Sequence, residues 1–213
     1  MKTAREEIFE RIRGAIGTAP PRTSGYASID RPYRQQGQLD LAQRLQLFTE
    51  RLIDYDAGVY RCLPADLPTA VSQAITVRGK HGLVIPPKLD RAWLPSRMEF
   101  LPDDDLPYDL LDRAEGALTG CAAAIAATGT ILLGHRENEG RRALTLIPDY
   151  HLCVVFAEQL VETVPEGIRL LAGSSTVTTI SGPSATADIE MTRIKGVHGP
   201  RSFDVILVVS HEE

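Results

Sequence analysis

The chain has 213 residues and a mass of 23.3 kDa, and 43% of its residues are hydrophobic, so it can bury one substantial core. Its net charge is −5 and its pI is near 5.6, a balance that argues against binding to a nucleic-acid phosphate backbone. The first residues lack the apolar segment of a secretory signal, and we therefore expect a cytoplasmic protein.

The residues that most often bind metals follow no metal-binding pattern. Cys62, Cys121 and Cys153 are widely separated, without a CxxC pair, and the five histidines form neither HxxH nor HExxH. We expect buried free thiols, no metal site and no directly bound cofactor. GxGxxG and GxxxxGK[ST] are also missing, so the common nucleotide-binding loops are not indicated.

The N-terminal region is predicted to be an arm. Thr3 and Glu6 form a capping box for a helix that ends at Gly17, and residues 18–37 are rich in Pro, Gly and Ser. Residues 1–34 contain seven Lys or Arg and four Asp or Glu, so the arm is basic. Arg31, Tyr33 and Arg34 offer an aromatic anchor and two anion binders for a partner, unless the segment is a solvated linker. We place the arm at 1–37 and a single α/β domain at 38–213.

The domain alternates helical and strand patterns. Helices are predicted from Leu41 to Tyr55 and from Asp66 to Val77, with strands at 59–63, 83–85 and 98–101 and an exposed acidic turn at 103–105. The uncharged stretch 116–134 is interpreted as a strand, a tight turn or short helix, and a second strand rather than as a membrane span. Further strands are predicted at 143–147, 152–156, 176–180 and 204–209, with a helix at 157–164 that Pro165 interrupts and that 167–171 resumes.

This order predicts an α/β fold with a mainly parallel sheet flanked by helices. Ligands usually bind such sheets at the carboxyl ends of the strands.

Two polar blocks next to strands are candidate ligand-binding segments. Thr128-Gly129-Thr130 leads straight into a strand and offers two hydroxyls and an approachable backbone, although a bulge or tight turn would use the same residues. The block from Ser181 through Gly182 to Ser184 has the composition of a loop that binds an anion or a carboxylate. Thr186 could cap the turn that follows.

The next residues could perform acid–base chemistry. Asp188 and Glu190 are carboxylates two positions apart, and they are either an acid–base pair or two solvated acids. His198, beside Gly199, could act as a general acid or base, or could be structural, and Arg201 could bind an anion.

Three blocks carry a resemblance to a known family. Thr128-Gly-Thr-Ile131, Ser181-Gly-Pro-Ser-Ala-Thr-Ala-Asp-Ile-Glu190 and Gly196-Val-His-Gly-Pro200 resemble the signature blocks of the LUD-domain family, and Pro32-Tyr33-Arg34 fits the same pattern. The resemblance extends over essentially the whole chain.

The resemblance implies a fold like the superfamily of ribose-5-phosphate isomerase, glucosamine-6-phosphate deaminase and coenzyme A transferase. It also implies a role in oxidising L-lactate to pyruvate together with partner proteins that carry iron–sulfur clusters. This chain departs from such partners because it has no cluster cassette.

Three functional hypotheses follow. The first is a subunit or accessory protein of lactate utilisation whose pocket binds a small carboxylate or phosphate-bearing ligand. The second is a freestanding enzyme resembling isomerases or transferases, which acts on a phosphorylated or acyl-activated small molecule through Asp188 or Glu190 with His198. The third is an assembly module that uses Arg31 and Arg34. The pocket residues of the first hypothesis are Thr128, Thr130, Ser181, Ser184, Thr186, Asp188, His198 and Arg201.

Overall fold

The computed structural model describes residues 2–17, 29–187, 193–195 and 199–210. Two compact units are present, Met1–Tyr33 and Arg34–Glu213. The first contains helix α1 (Ala4–Ile16). The Glu6 amide donates to Thr3 Oγ1 at 3.4 Å and the Thr3 amide donates to Glu6 Oε2 at 2.7 Å, which confirms the predicted capping box. Ile8, Phe9 and Ile12 are exposed within this unit.

The second unit contains further helices and strands. The helices are α2 (Leu41–Asp54), α3 (Leu67–Val77), α4 (Tyr108–Arg113), α5 (Arg142–Leu146) and α6 (Val164–Leu170). The strands are β1 (Gly58–Cys62), β2 (Gly82–Ile85), β3 (Glu99–Pro102), β4 (Ala117–Thr119), β5 (Ala123–Ile125), β6 (Thr130–Leu133), β7 (Tyr150–Phe156), β8 (Leu160–Val161), β9 (Thr178–Ile180), β10 (Ala185–Ala187), β11 (Arg193–Lys195) and β12 (Ser202–Val208). No described helix is both long and apolar enough to cross a membrane.

The main sheet has six parallel strands in the order β1-β12-β7-β4-β2-β3. Its central strands are buried on both faces, because a parallel sheet is covered on each side by the segments that cross between strands. Alternate residues of β12 therefore enter different cores: Val205 and Leu207 pack with α2, while Ile206 and Val208 pack with α3. The predicted α/β class with a mainly parallel sheet is confirmed.

A second sheet covers the α2 side of the first. Its order is β8-β5-β6-β9, and β6 pairs antiparallel with both β5 and β9. Ile131 of β6 packs in the core that contains Phe48 and Leu52 of α2. Burial of each of these three side chains contributes about 2 kcal/mol to the free energy of folding. The outer face of the sheet buries Ile125 and Leu132, and Gly167 of α6 lies against both of their side chains. A short antiparallel ribbon pairs β10 with β11.

Two predicted elements are wrong in type. Residues 143–147, predicted as a strand, belong mostly to helix α5, since a short apolar run fits a buried helix as well as a strand. Residues 157–164, predicted as a helix, form a 3₁₀ turn and strand β8. Pro165 lies in the first turn of α6, where its missing amide donor costs nothing, so it begins a helix instead of interrupting one.

The predicted exposed turn at 103–105 is only partly exposed. Asp103 is buried, and its carboxylate accepts hydrogen bonds from Arg141 Nε at 2.8 Å and Arg141 Nη2 at 2.9 Å. This bidentate pair compensates for the loss of water around the carboxylate. Asp104 and Asp105 are exposed as predicted.

Candidate functional site

The first two candidate blocks meet in space. Thr130 Oγ1 lies 2.7 Å from Thr128 Oγ1 and 2.8 Å from Ser181 Oγ. The antiparallel pairing of β6 with β9 sets Ile131 opposite Ile180 and so brings the neighbouring hydroxyls together. The third block joins them because the amide of Ser184 donates to the carbonyl of Pro200 at 2.8 Å.

A cavity of about 300 Å³, named here the loop cavity, opens beside these blocks. Its volume is at the lower end of the range for ligand sites, roughly 300–1,000 Å³. The residues that line it are Arg142, Thr145, Leu146, His151, Thr178, Thr179, Ile180, Ser181, Gly182, Pro183, Ser184, Ala185, Gly199, Pro200 and Phe203.

The loop cavity lies at the amino ends of the main-sheet strands. His151 and Phe203 are the second residues of β7 and β12. The expectation of a site at the carboxyl ends is therefore wrong for this cavity. The cause is the second sheet: its strand β9 delivers the Ser181 loop to the amino edge, where a purely parallel sheet would expose only strand-entry turns.

His151 is the most deeply buried polar side chain of the cavity wall, at 1% exposure. Its Nε2 lies 2.8 Å from Thr119 Oγ1, and its Nδ1 has no hydrogen-bond partner within the described residues. Burial lowers the pKa of His151 to about 3, so the imidazole is neutral at physiological pH.

Two arginines near the loop have different roles. Arg142, at the start of α5, is exposed, lines the loop cavity and is the only charged side chain among its described lining residues. Arg201, the predicted anion binder, does not line the cavity; its Nε lies 3.3 Å from Asp149 Oδ1, and both side chains are largely exposed. The cation at this cavity is therefore Arg142.

The structure does not test the predicted acid–base chemistry. Asp188, Glu190 and His198 lie outside the described residues. Thr186 is described through its backbone alone, which pairs with Ile194 across the β10–β11 ribbon. The catalytic roles of these residues stay predictions.

Two of the candidate glycines lie close to the end of α2, one against Arg51 within the helix and one against Tyr55, which follows it. At Gly129, whose φ is +60°, an added Cβ would lie 2.7 Å from Arg51 Cβ. At Gly182, whose φ is +80°, it would lie 2.5 Å from Tyr55 Cβ. A side chain fits neither site, so packing against Arg51 and Tyr55 accounts for both glycines without a ligand. Gly199 faces Ser184, where an added Cβ would lie 3.2 Å from Ser184 Cβ.

The arm residues divide between the two units. Arg31 donates from Nη1 to the carbonyl of Ile29 at 2.9 Å, and Tyr33 is 54% exposed. Arg34 belongs to the larger unit, where it forms an ion pair with the buried carboxylate of Glu162. Arg34 is thus engaged within its own unit, and the predicted partner contacts remain untested.

The thiols lie in the core or at its edge. Cys121 and Cys153 are buried, as predicted, and a hydrogen bond with Cys153, together with burial, raises the pKa of Cys121. Cys62 is half-buried, and burial raises its pKa to about 11. Within the described ranges, no group of three or more His, Cys, Asp or Glu residues is arranged to hold a metal ion.

Arg142, His151 and Thr178 line the loop cavity, although none of them is among the site residues predicted from the sequence. The histidine in the otherwise apolar run of β7 could have indicated a site, because a polar side chain in a buried strand needs a hydrogen-bond partner. Arg142 was harder to predict because it is next to Arg141. The sequence does not show that Arg141 binds Asp103, which leaves Arg142 as the arginine at the cavity.

Known proteins resemble this chain in sequence and in fold. A model of the LUD domain matches residues 107–208. A protein of Deinococcus radiodurans is 44% identical over 210 residues, which cover 96% of this chain and 95% of that protein. A protein of Exiguobacterium is 28% identical over 97% of this chain and 96% of its own length. A crystal structure of a DUF162 family protein from D. radiodurans has a TM-score of 0.70 and 41% identity, over 80% of this chain and 99% of that one.

A parallel α/β sheet joined to the loop of the three signature blocks defines a LUD-domain protein, and the chain belongs to the LUD-domain family. The two relatives that match almost all of it are both named lactate utilization protein C. The predicted resemblance is confirmed, while the wider superfamily stays a prediction.

Proposed function

We propose that this protein serves lactate utilisation and that its loop cavity binds a small carboxylate. The observation that carries the proposal is 44% identity, over 96% of the chain, to a protein named lactate utilization protein C. Identity at this level along nearly the whole chain includes both the arm and the loop blocks, so it supports a shared role and not merely a shared fold.

The composition of the loop cavity supports a small-anion ligand. Arg142 supplies a positive charge, while Ser181 and Ser184 belong to a loop with hydroxyls and turning glycine backbone. The hydroxyl of Ser181 is held by Thr130 at 2.8 Å, which fixes its orientation before a ligand arrives. A cavity of about 300 Å³ has room for a three-carbon acid such as lactate or pyruvate together with bound water.

The redox step belongs, in this proposal, to partner proteins. Oxidation of L-lactate to pyruvate removes two electrons and two protons, and iron–sulfur proteins would accept the electrons. The cysteine spacing of this chain matches no cluster cassette, so its own contribution is to bind and orient the carboxylate. Exposed Tyr33 and the exposed apolar side chains of α1 support a partner-contacting role for residues 1–33.

The test is purification of the tagged full-length chain from its native cells under mild conditions. Co-purifying proteins are identified by mass spectrometry, and iron and flavin are measured in the same fractions. We expect iron–sulfur proteins to accompany the chain, and lactate-dependent dye reduction to occur in the assembly but not in the chain alone. Robust turnover by the isolated chain, or purification without iron-containing partners, would contradict the proposal.

A matched variant that lacks residues 1–33 tests the arm. We expect it to keep the fold of the larger unit and to lose the co-purifying partners. Retention of the same partners would assign their binding to the larger unit.

A further inference from the structure

We propose that His151 is a specificity-determining residue of the loop cavity, whose Nδ1 atom hydrogen-bonds the oxygen substituent on C2 of the bound carboxylate. This inference rests on the proposed function and adds the chemical class of its ligand. The ligand is a 2-hydroxy or 2-oxo acid, as opposed to a plain carboxylate.

The hydrogen bonding of the imidazole is incomplete. His151 is 1% exposed and lines the loop cavity, and its Nε2 is occupied by the Thr119 hydroxyl at 2.8 Å. Nδ1 is buried without a partner among the described residues. A buried polar atom left unpaired is costly, and in most proteins such an atom is paired with protein, water or ligand. A ligand in the adjoining cavity can supply the missing partner.

The surroundings of His151 make it a neutral group. Phe203 packs beside it with a centroid distance of 5.3 Å, and the Thr119 hydroxyl, which also lies near Cys153 Sγ, contacts its Nε2. With its pKa held near 3 by burial, the ring does not act as a cation for the carboxylate. It presents one donor and one acceptor.

Thr119 allows Nδ1 to serve either ligand oxidation state. Its hydroxyl can accept a hydrogen bond from Nε2–H and point its own proton toward Cys153 Sγ, 3.9 Å away. It can also rotate and donate to Nε2. The first arrangement leaves Nδ1 as an acceptor for the hydroxyl of a 2-hydroxy acid. The second makes Nδ1–H a donor to the carbonyl of a 2-oxo acid.

The cavity has the polarity of such a ligand. The charged residue among its described lining residues, Arg142, is exposed, whereas His151, a neutral polar residue, is in the buried wall. A carboxylate with an uncharged oxygen on the next carbon matches this arrangement, with its charge toward solvent and its hydroxyl or carbonyl inside.

The test measures the affinity of the full-length chain for L-lactate, pyruvate and propionate by calorimetry. Propionate has the carboxylate and methyl group of lactate but no oxygen on C2. In the wild type we expect lactate and pyruvate to bind about tenfold more tightly than propionate, the effect of one buried hydrogen bond. In His151→Gln, whose amide reaches toward Thr119 and leaves the Nδ1 position empty, we expect the lactate-to-propionate ratio to fall to about one.

The matched variant is His151→Asn, whose shorter amide occupies the Nδ1 position and gives up the contact with Thr119. We expect it to retain most of the preference for lactate. Unchanged propionate affinity in both variants shows that the cavity is intact.

The outcomes separate the two proposals. A wild type that binds none of the three acids overturns the carboxylate site and this inference with it. A wild type that binds all three acids equally overturns the inference about His151 but leaves the carboxylate site in place. This outcome does not depend on whether the variants fold. The inference also fails if His151→Gln keeps the wild-type ratio, or if it weakens lactate and propionate by the same factor.

Discussion

The hydroxyl of Thr130 lies 2.8 Å from the hydroxyl of Ser181, although 51 positions separate the two residues in the chain. The contact depends on the antiparallel pairing of β6 with β9, which the second sheet provides. It connects a core strand to the loop that lines the cavity. Thr130 itself does not line the cavity, so its effect on a ligand passes through Ser181.

Replacing Thr130 by Val should loosen the loop while preserving the shape of the core. Thr130→Val removes the hydrogen bonds to Thr128 and Ser181, and we expect a loss of about 1 kcal/mol in the free energy of unfolding. Because Ser181 loses its support, lactate affinity should fall several-fold. Urea unfolding and calorimetry measure the two effects. Thr128→Val is the control, since the hydrogen bonds of Thr128 among the described residues go to Thr130 and not to the loop; equal lactate affinity in both variants would contradict the positioning role.

Arg142 and Arg201 form a matched pair for testing the anion site. Arg142→Ala removes the positive charge from the loop cavity, and we expect lactate affinity to fall about tenfold, the loss of one charge-assisted hydrogen bond. Arg201→Ala breaks an exposed ion pair with Asp149, worth at most about 1 kcal/mol, and should leave the affinity unchanged. Thermal shifts with lactate compare the two. A larger loss in Arg201→Ala would restore the role that the sequence predicts for that residue.

Glu162 makes stability depend on pH. Its carboxylate accepts hydrogen bonds from the amides of Leu39, at 2.7 Å, and Gln38, and it pairs with Arg34; these contacts hold its pKa below the ordinary value of 4.5. A lowered pKa contributes stability above about pH 4.5 and loses it as the pH falls through the pKa of the folded protein.

We therefore expect Glu162→Gln to be clearly less stable than the wild type at pH 7, and the difference in melting temperature to shrink as the pH falls below 4.5. Glu158→Gln, at an exposed site four residues earlier in the chain, is the control for the effect on stability of removing any carboxylate charge. A difference that stays constant between pH 7 and pH 3 would show that the carboxylate charge contributes nothing.

Gly129 and Gly173 separate backbone strain from steric overlap. Both have positive φ, +60° and +89°, but an added Cβ at Gly173 meets no atom within 4 Å, whereas at Gly129 it lies 2.7 Å from Arg51 Cβ. We expect Gly173→Ala to cost about 1 kcal/mol and Gly129→Ala roughly 3 kcal/mol, because overpacking adds to the strain. Urea unfolding measures both. Equal losses would mean that α2 moves aside freely.

Local patterns were sufficient to predict several elements. The capping box at Thr3, the amphipathic stripe of α2 and the apolar runs of β7 and β12 each fix a helix or strand through contacts between near neighbours. The same reasoning failed at residues 143–147, where a short apolar run does not distinguish a helix from a strand. It failed at Asp103 because the compensating Arg141 is 38 positions away.

Residue types and short spacings are enough to predict the α/β class, the family and the loop blocks that border the cavity. Long-range contacts place the Ser181 loop at the amino edge of the main sheet, bring Arg142 and not Arg201 to the cavity, and bury His151 with no partner for Nδ1 among the described residues. These facts depend on strand pairing across long stretches of chain, where desolvation and the supply of hydrogen-bond partners are set by residues that no local pattern connects.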